Sequence, residues 1–178
     1  MSTAYSLAEA GKKVLFIDAD LRKSVLTGRY KISGEMKGLT HFLSGQGDLS
    51  EILCKTNEKG LFVYFAGPVP PNPAELLGSK KFAALLKEAR NIYDYIIIDT
   101  PPLGSVIDSA IVSAVCDAAI LVISANTISY KFARSVKDQL AKTGCNILGV
   151  VLNKVSMKQN KYYGKYYGKY YGHYGSDK

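Results

Sequence analysis

Five short apolar runs, rich in β-branched residues, alternate with segments of helical periodicity, and this alternation constrains the fold more than any other feature. The apolar runs occupy residues 14–17, 61–65, 95–98, 119–123 and 147–152. Each run is too short for a buried helix. Apolar residues at consecutive positions are typical of strands that are covered on both faces, so we predict five such strands.

The segments between these runs predict helices over residues 2–10, 80–91, 105–115 and 129–143. In the last segment Phe132, Val136 and Leu140 recur every four residues and form one apolar stripe. Strands and helices that alternate in this way predict an α/β fold with a parallel sheet between two layers of helices. Residues 31–59 are richer in glycine and predict short helices at the surface.

Acidic residues follow two of the predicted strands directly. Asp18 and Asp20 come after the first strand, and Asp99 comes after the third. Ligands of parallel α/β sheets collect at the carboxyl ends of the strands. Carboxylates at that edge can hold Mg²⁺, which prefers oxygen ligands, and a further carboxylate can accept a proton from a hydroxyl. The alternative is that these aspartates only cap turns or helices.

Length and composition predict one globular domain followed by a tail. The chain has 178 residues, of which 47% are hydrophobic, enough for one core. We place the domain at residues 1–156 and a flexible tail at 157–178. Neither a membrane-spanning run nor a signal peptide is evident, and Cys54, Cys116 and Cys145 lack metal-ligand spacing. A reducing, cytoplasmic location is therefore expected.

The tail contains the repeat KYYGKYYGKYYGHYG at residues 161–175. Its tyrosines are Tyr162, Tyr163, Tyr166, Tyr167, Tyr170, Tyr171 and Tyr174. A low-complexity adhesive segment is one interpretation, and an aromatic strip that stacks nucleic-acid bases is another. The nearly neutral body of the chain argues against a nucleic-acid partner. A mobile series of phosphate acceptors is the third interpretation, because each phosphate adds roughly −1.5 to −2 charge.

Four stretches together resemble one family. VLFIDADLRKS resembles the Walker A′ motif, and YIIIDTPP the Walker B motif, of the bacterial tyrosine kinases of capsular and exopolysaccharide synthesis. Residues 70–77, PPNPAELL, are similar to a proline-rich segment of that family, and a terminal tyrosine cluster is its signature. The resemblance implies a P-loop NTPase-like three-layer sandwich. Single motifs are shared with partition and septum-placement ATPases.

The same resemblance implies ATP and Mg²⁺ as cofactors and a role for each matching residue. Asp18 would approach the attacking phenol, Asp20 and Asp99 would organise the Mg²⁺ shell, and Arg22 would support the site or contact a neighbouring subunit. Ser2 and Thr3 match the end of the phosphate-binding loop, with the Ser2 hydroxyl near the metal. Asn153 matches the residue placed against adenine in related ATPases.

The resemblance also implies partners and a place in the cell. The expected partners are a membrane adaptor of the polysaccharide co-polymerase type, further copies of the chain that phosphorylate one another in a ring, and a tyrosine phosphatase. The expected location is the cytoplasmic face of the plasma membrane, reached through the adaptor.

One departure from the family pattern concerns the phosphate-binding loop. The family carries a glycine-rich loop that ends in Gly-Lys-Ser/Thr, whereas this sequence has Met1 before Ser2 and Thr3. We therefore expect that the first strand and the loop are missing through truncation, rather than in a degenerate paralogue, and that ATP binding by this chain is weak. Two alternatives to a kinase are a non-catalytic phospho-acceptor and a partition-type ATPase.

Overall fold

The computed structural model describes residues 1–29, 37–102 and 107–155. Within them, helices and strands alternate much as the sequence predicts. In chain order the elements are α1 (Ser2–Glu9), β1 (Val14–Asp18), α2 (Leu26–Arg29), α3 (Leu39–Leu43), α4 (Leu49–Ile52), β2 (Leu53–Lys55), β3 (Leu61–Tyr64), α5 (Pro73–Leu77), α6 (Lys80–Ala89), β4 (Tyr95–Asp99), α7 (Asp108–Ser113), β5 (Ala118–Ser124), α8 (Tyr130–Ala141) and β6 (Asn146–Asn153).

The larger of two sheets has the strand order β2-β3-β1-β4. β1 lies between β3 and β4 and is parallel to both, whereas β2 is antiparallel to β3. Every residue of β1 is buried, as expected for a strand with neighbours on both edges and helices on both faces. The prediction of a parallel α/β sheet is confirmed.

Side chains of β1 divide between two apolar cores, one on each face of the larger sheet. Leu15 and Ile17 pack into a core that also contains Leu77 of α5 and Phe82 of α6. Val14 and Phe16 face the other way, toward Ala4 and Ala8 of α1 together with Leu26. Helices therefore cover both faces, which gives the three-layer arrangement expected from the resemblance.

β5 and β6 form a separate parallel sheet of two strands, and here one prediction is wrong. Both runs were expected to be covered on both faces, but Ile120 and Val122 of β5 and most of β6 are exposed. Only Leu121 of β5 is fully buried. Among the described residues, one edge of β4 and one edge of β5 have no strand partner.

α8 begins where the Ser129 side chain accepts a hydrogen bond from the Phe132 backbone N–H at 3.2 Å, an N-cap of the usual kind. The predicted apolar stripe lies on this helix, but its burial is graded. Phe132 is exposed, Val136 is half-buried and Leu140 is buried. Only the carboxyl-terminal end of the stripe therefore packs firmly into the molecule.

The predicted short helices of residues 31–59 are present as α3 and α4, but α4 is followed directly by a strand, β2, that the sequence pattern did not predict. α3 buries Leu39 and Leu43 rather than lying on the surface. Its start is held against the segment after β3, where a Cβ added to Gly38 would come within 2.4 Å of the Gly67 nitrogen. Glycine is therefore required at position 38 by this close approach.

Two expectations lie outside what the structure describes. The boundary between residues 156 and 157 and the seven tyrosines of the tail fall in residues 156–178, which are not described. In the described part of the chain, no helix has both the length and the apolar character needed to cross a bilayer.

Candidate active site

Asp18 and Asp99 lie side by side at the carboxyl edge of the larger sheet. β1 and β4 are parallel and in register, and Asp18 pairs with Asp99 as the last matched position. The strands stay joined one residue further on, because the Ala19 backbone N–H donates to the Asp99 carbonyl at 2.8 Å. The sequence pattern predicted this proximity, since parallel strands end at the same edge.

The loop after β1, residues 18–24, is folded around its own carboxylates, and we call it the Asp18 loop. Asp18 accepts a hydrogen bond from the Ser24 hydroxyl and a second from the Asp20 backbone N–H. Asp20 in turn accepts from the backbone N–H groups of Arg22 and Lys23, at 3.2 and 3.0 Å. Such aspartate-centred turns fix a loop without regular secondary structure, so Asp20 is held near the end of β1.

The electrostatics at this edge are unfavourable for negative charge in the absence of a cation. Burial raises the pKa of Asp18, and the negative charges of Asp99 and Asp20 raise it further. The hydrogen bonds from the Ser24 hydroxyl and the Asp20 backbone N–H lower it, but by less. Burial also raises the pKa of Asp99, with the amino-terminal charge acting in the opposite direction and Asp20 in the same direction. The charges of Asp99 and Asp20 therefore act on Asp18, and the charge of Asp20 acts on Asp99.

Accessibility distinguishes the three acids. Asp18 is only 1% exposed, Asp20 is half-buried, and Asp99 keeps an exposed side although burial of its carboxylate perturbs its pKa. Asp20 and Asp99 are thus the carboxylates open to a ligand from solvent. Asp18 supports the loop from beneath.

Arg22 reaches from the Asp18 loop to a residue that the sequence analysis missed. Its Nε and a terminal guanidinium nitrogen donate to the two carboxylate oxygens of Asp108, at 2.6 and 3.0 Å. Asp108 is the first residue of α7 and is fully buried, and this contact raises the pKa of Arg22. No local pattern marks Asp108, because its partner is 86 positions away.

The remaining predicted site residues lie at the start of α1, where the amino-terminal charge acts on Asp99, and at the end of β6. Ser2 and Thr3 are exposed in the first turn of α1. Asn153 is exposed at the end of β6, where its register partner is Ser124 of β5. Its side-chain oxygen accepts from the Lys154 backbone N–H at 2.8 Å. Asn153 therefore belongs to the smaller sheet, whereas Asp18 and Asp99 end two strands of the larger one.

The oxygen atoms at this edge suit a divalent cation that keeps its water ligands better than one coordinated only by side chains. Within residues 1–29, 37–102 and 107–155, no group of three or more His, Cys, Asp or Glu side chains has the geometry to hold a metal ion. Yet neighbouring carboxylates with raised pKa values are stabilised by a nearby cation, and Mg²⁺ commonly keeps several of its waters. Asp20 and Asp99 are therefore suited to binding such waters.

An apolar depression elsewhere on the surface takes no part in this site. Its volume is about 360 Å³, and it lies among α4, β3 and α6, next to Phe62, Tyr64 and Tyr93. None of the predicted site residues lines it. This depression is thus separate from the acidic edge.

Comparison with known proteins identifies a matching family and similar relatives. The AAA domain family matches residues 1–143. The chain is 49% identical over 155 residues to the tyrosine-protein kinase CpsD of Streptococcus agalactiae serotype Ia. This match covers 87% of the chain and 67% of the relative.

Comparison of structures gives the same grouping. The kinase domain of VpsO superimposes with a TM-score of 0.80 at 40% identity, covering 86% of this chain and 75% of that domain. The septum site-determining protein MinD of Pyrococcus horikoshii, solved in complex with Mg-ADP, superimposes with a TM-score of 0.69 at 26% identity, covering 84% and 60%.

Proposed function

This chain belongs to the AAA-domain family and, within it, to the bacterial tyrosine-protein kinases, and from that membership we propose that it transfers the γ-phosphoryl group of ATP to tyrosine hydroxyls. The observation that carries the proposal is the register pairing of Asp18 with Asp99, with Asp20 beside them. The tyrosines of residues 162–174 are the proposed acceptors. Relatives named as kinases favour this reading over a partition-type ATPase.

We assign the three acids different parts in the reaction. Asp20 and Asp99, which are open to solvent, would hold Mg²⁺ through its waters, with the Ser2 hydroxyl as a further oxygen donor. The bound ion neutralises charge that develops on the phosphoryl oxygens. Asp18 would accept the phenol proton at Oδ2 only after the Ser24 hydroxyl turns away from that oxygen and the loop opens, because Asp18 is buried and its other oxygen accepts from the Asp20 backbone N–H. Its burial raises its pKa and so makes it a better proton acceptor than an ordinary aspartate.

We propose that this chain binds nucleotide weakly. Its 178 residues contain no Gly-Lys-Ser or Gly-Lys-Thr sequence, and such a loop supplies the backbone N–H groups and the lysine that surround phosphates. Asn153 is the proposed adenine contact. We therefore expect slow phosphorylation by the chain alone.

The proposed setting is the control of capsular or exopolysaccharide synthesis. Support comes from the kinship with CpsD and from the structural similarity to a chimerical protein, CapA2B2, which shares 32% identity with a TM-score of 0.81. We propose a membrane adaptor as activator, further copies of the chain as mutual substrates, and a tyrosine phosphatase as the opposing enzyme.

The test is phosphotyrosine formation by the full 178-residue chain with ATP and Mg²⁺. An Asp99→Asn variant should lower the rate by about a hundredfold, as expected when an electrostatic element of a phosphoryl-transfer site is lost. Asp138→Asn is the matched control, because Asp138 is an exposed aspartate on α8. The parent and the control should label equally.

The competing roles give different results in the same experiment. Labelling that appears only after addition of the intact kinase CpsD identifies the chain as a phospho-acceptor. If Asp99→Asn labels as fast as the parent, the acidic edge is not the catalytic site and the proposal is wrong.

A further inference from the structure

Two consecutive buried residues at the start of α7 connect the two acidic segments of the site. Asp108 is 0% exposed and Ser109 is 3% exposed. Asp108 receives both guanidinium hydrogen bonds of Arg22, from the Asp18 loop. The Ser109 hydroxyl donates to the Pro101 carbonyl at 2.6 Å, within residues 99–102, which we call the Asp99 turn.

The Arg22–Asp108 contact is a buried and directional one. The two parallel N–H···O bonds fix the orientation of both side chains, as is usual for paired arginine and carboxylate groups. The Arg22 side chain is 43% exposed, whereas the Asp108 side chain is 0% exposed. The pair therefore anchors a surface loop to the interior of the molecule.

Asp108 is not itself available to a cation or a substrate, because both of its oxygens are occupied by Arg22 and the residue is enclosed. Any influence it has on chemistry must pass through the segments it holds. Those segments are the Asp18 loop on one side and, through Ser109, the Asp99 turn on the other. They carry Asp20 and Asp99, the two acids that are open to solvent.

We infer that Asp108 and Ser109 are positioning residues that set the separation of Asp20 from Asp99 and thereby the affinity of the site for a divalent cation. The cation in this inference rests on the proposed function, whereas the contacts that hold the two segments do not. Direct strand pairing holds Asp18 against Asp99, whereas Asp20 lies beyond the strand. Its position depends on how the rest of the Asp18 loop is anchored, which is the task of Arg22 and Asp108.

Two measurements on the full chain test this inference. The first is binding of Mn²⁺, used as a probe of the divalent site and followed by electron paramagnetic resonance. The second is hydrogen exchange at the backbone amides of Asp20, Arg22 and Lys23, which are bonded to carboxylates of the same loop. The second needs neither a cation nor catalysis.

The informative variant is Asp108→Asn, which keeps the shape of the side chain and removes its charge. We expect Mn²⁺ to bind about tenfold more weakly, since loss of a residue that orients metal ligands typically costs 10–100-fold in affinity. The three loop amides should exchange faster. Asp108→Glu should restore part of the affinity, because the carboxylate is kept.

The matched control is Asp117→Asn. Asp117 binds Arg90 through both carboxylate oxygens, at 2.7 and 2.8 Å, but this pair is exposed and lies beyond the far end of α7. Its loss should change neither Mn²⁺ affinity nor exchange in the Asp18 loop. Circular dichroism establishes that each variant is folded before it is compared.

The outcomes separate the inference from the proposed function. If folded Asp108→Asn binds Mn²⁺ like the parent and its loop amides exchange no faster, the positioning role is refuted. If the parent binds no Mn²⁺, the proposed cation site is refuted, while loop exchange still decides whether Asp108 positions the loop. If Asp108→Asn does not fold, Arg22→Lys, which keeps the charge but loses the paired hydrogen bonds to Asp108, is measured by the same two methods and decides the matter in the same way.

Discussion

Asp18 stands directly opposite Asp99 in the parallel pairing of β1 with β4, so the last residues of two adjacent strands are both acidic. Burial raises the pKa of both carboxyls, and the charge of Asp99 raises that of Asp18 further. A folded protein keeps such an arrangement at the expense of stability, which is typical of functional sites.

Asp99→Asn should raise the melting temperature of the cation-free chain at pH 7. Burial raises the pKa of Asp99 in the folded state, so the ionised form costs stability once the pH exceeds its ordinary value. Below about pH 4 the carboxyl is protonated in both folded and unfolded chains, and the difference should vanish. Thermal unfolding across this range measures it, with Asp138→Asn as the control.

In the presence of Mg²⁺ the parent should melt at a higher temperature than Asp99→Asn. A cation that binds only the folded parent raises its melting temperature, whereas Asp99→Asn should gain less. Equal shifts for both proteins would contradict a role for Asp99 near the ion.

Arg22→Ala should destabilise the fold more than Asp108→Asn does. The first change leaves the fully buried Asp108 carboxylate without its partner, and an unpaired buried charge is strongly unfavourable. The second leaves Arg22, which reaches solvent and can be hydrated there. Melting temperatures of the two variants and the parent give the ranking, and the reverse order would show that the pair is not anchored as described.

Phe16→Ala should cost about 3–5 kcal/mol in the free energy of unfolding, because Phe16 is buried at the centre of the larger sheet. Val150→Ala, in an equally apolar run, should cost less than about 0.5 kcal/mol, because Val150 is exposed in β6. Denaturant titration of both variants measures the difference. Similar losses at the two positions would mean that β6 is covered after all.

Phosphorylation should invert the charge of the tail. Residues 157–178 hold five lysines and one aspartate, and each phosphate adds roughly −1.5 to −2. About two or three phosphates therefore neutralise the segment, and more make it acidic. Native electrophoresis of the chain after treatment with CpsD should show stepwise shifts toward the anode. A variant with all seven tyrosines changed to phenylalanine should show none.

The sequence predicted the large features of the fold because they follow from local patterns. β1, β3 and β4 appear as consecutive apolar residues, and the acids that end β1 and β4 meet because parallel strands share an edge. β2 was missed since Leu53–Lys55 is only three residues long and its antiparallel pairing with β3 is a tertiary event.

Two further differences have physical causes beyond the reach of local patterns. The apolar runs of β5 and β6 predicted full coverage, yet burial depends on which elements pack against them, and none of the described elements covers most of β6. Asp108 gave no signal either, because an aspartate at the start of a helix is common. Its significance depends on Arg22, which only the folded chain brings near.

The unequal burial of the two sheets has a consequence for the order in which the molecule comes apart. β1 is enclosed on both faces, whereas β6 has solvent on most of its length, so the smaller sheet should open locally at a lower free energy than the larger one. Asn153 lies on the sheet that opens first. Any nucleotide that binds there must suppress this local opening, and its observed affinity is reduced by the free energy that this requires.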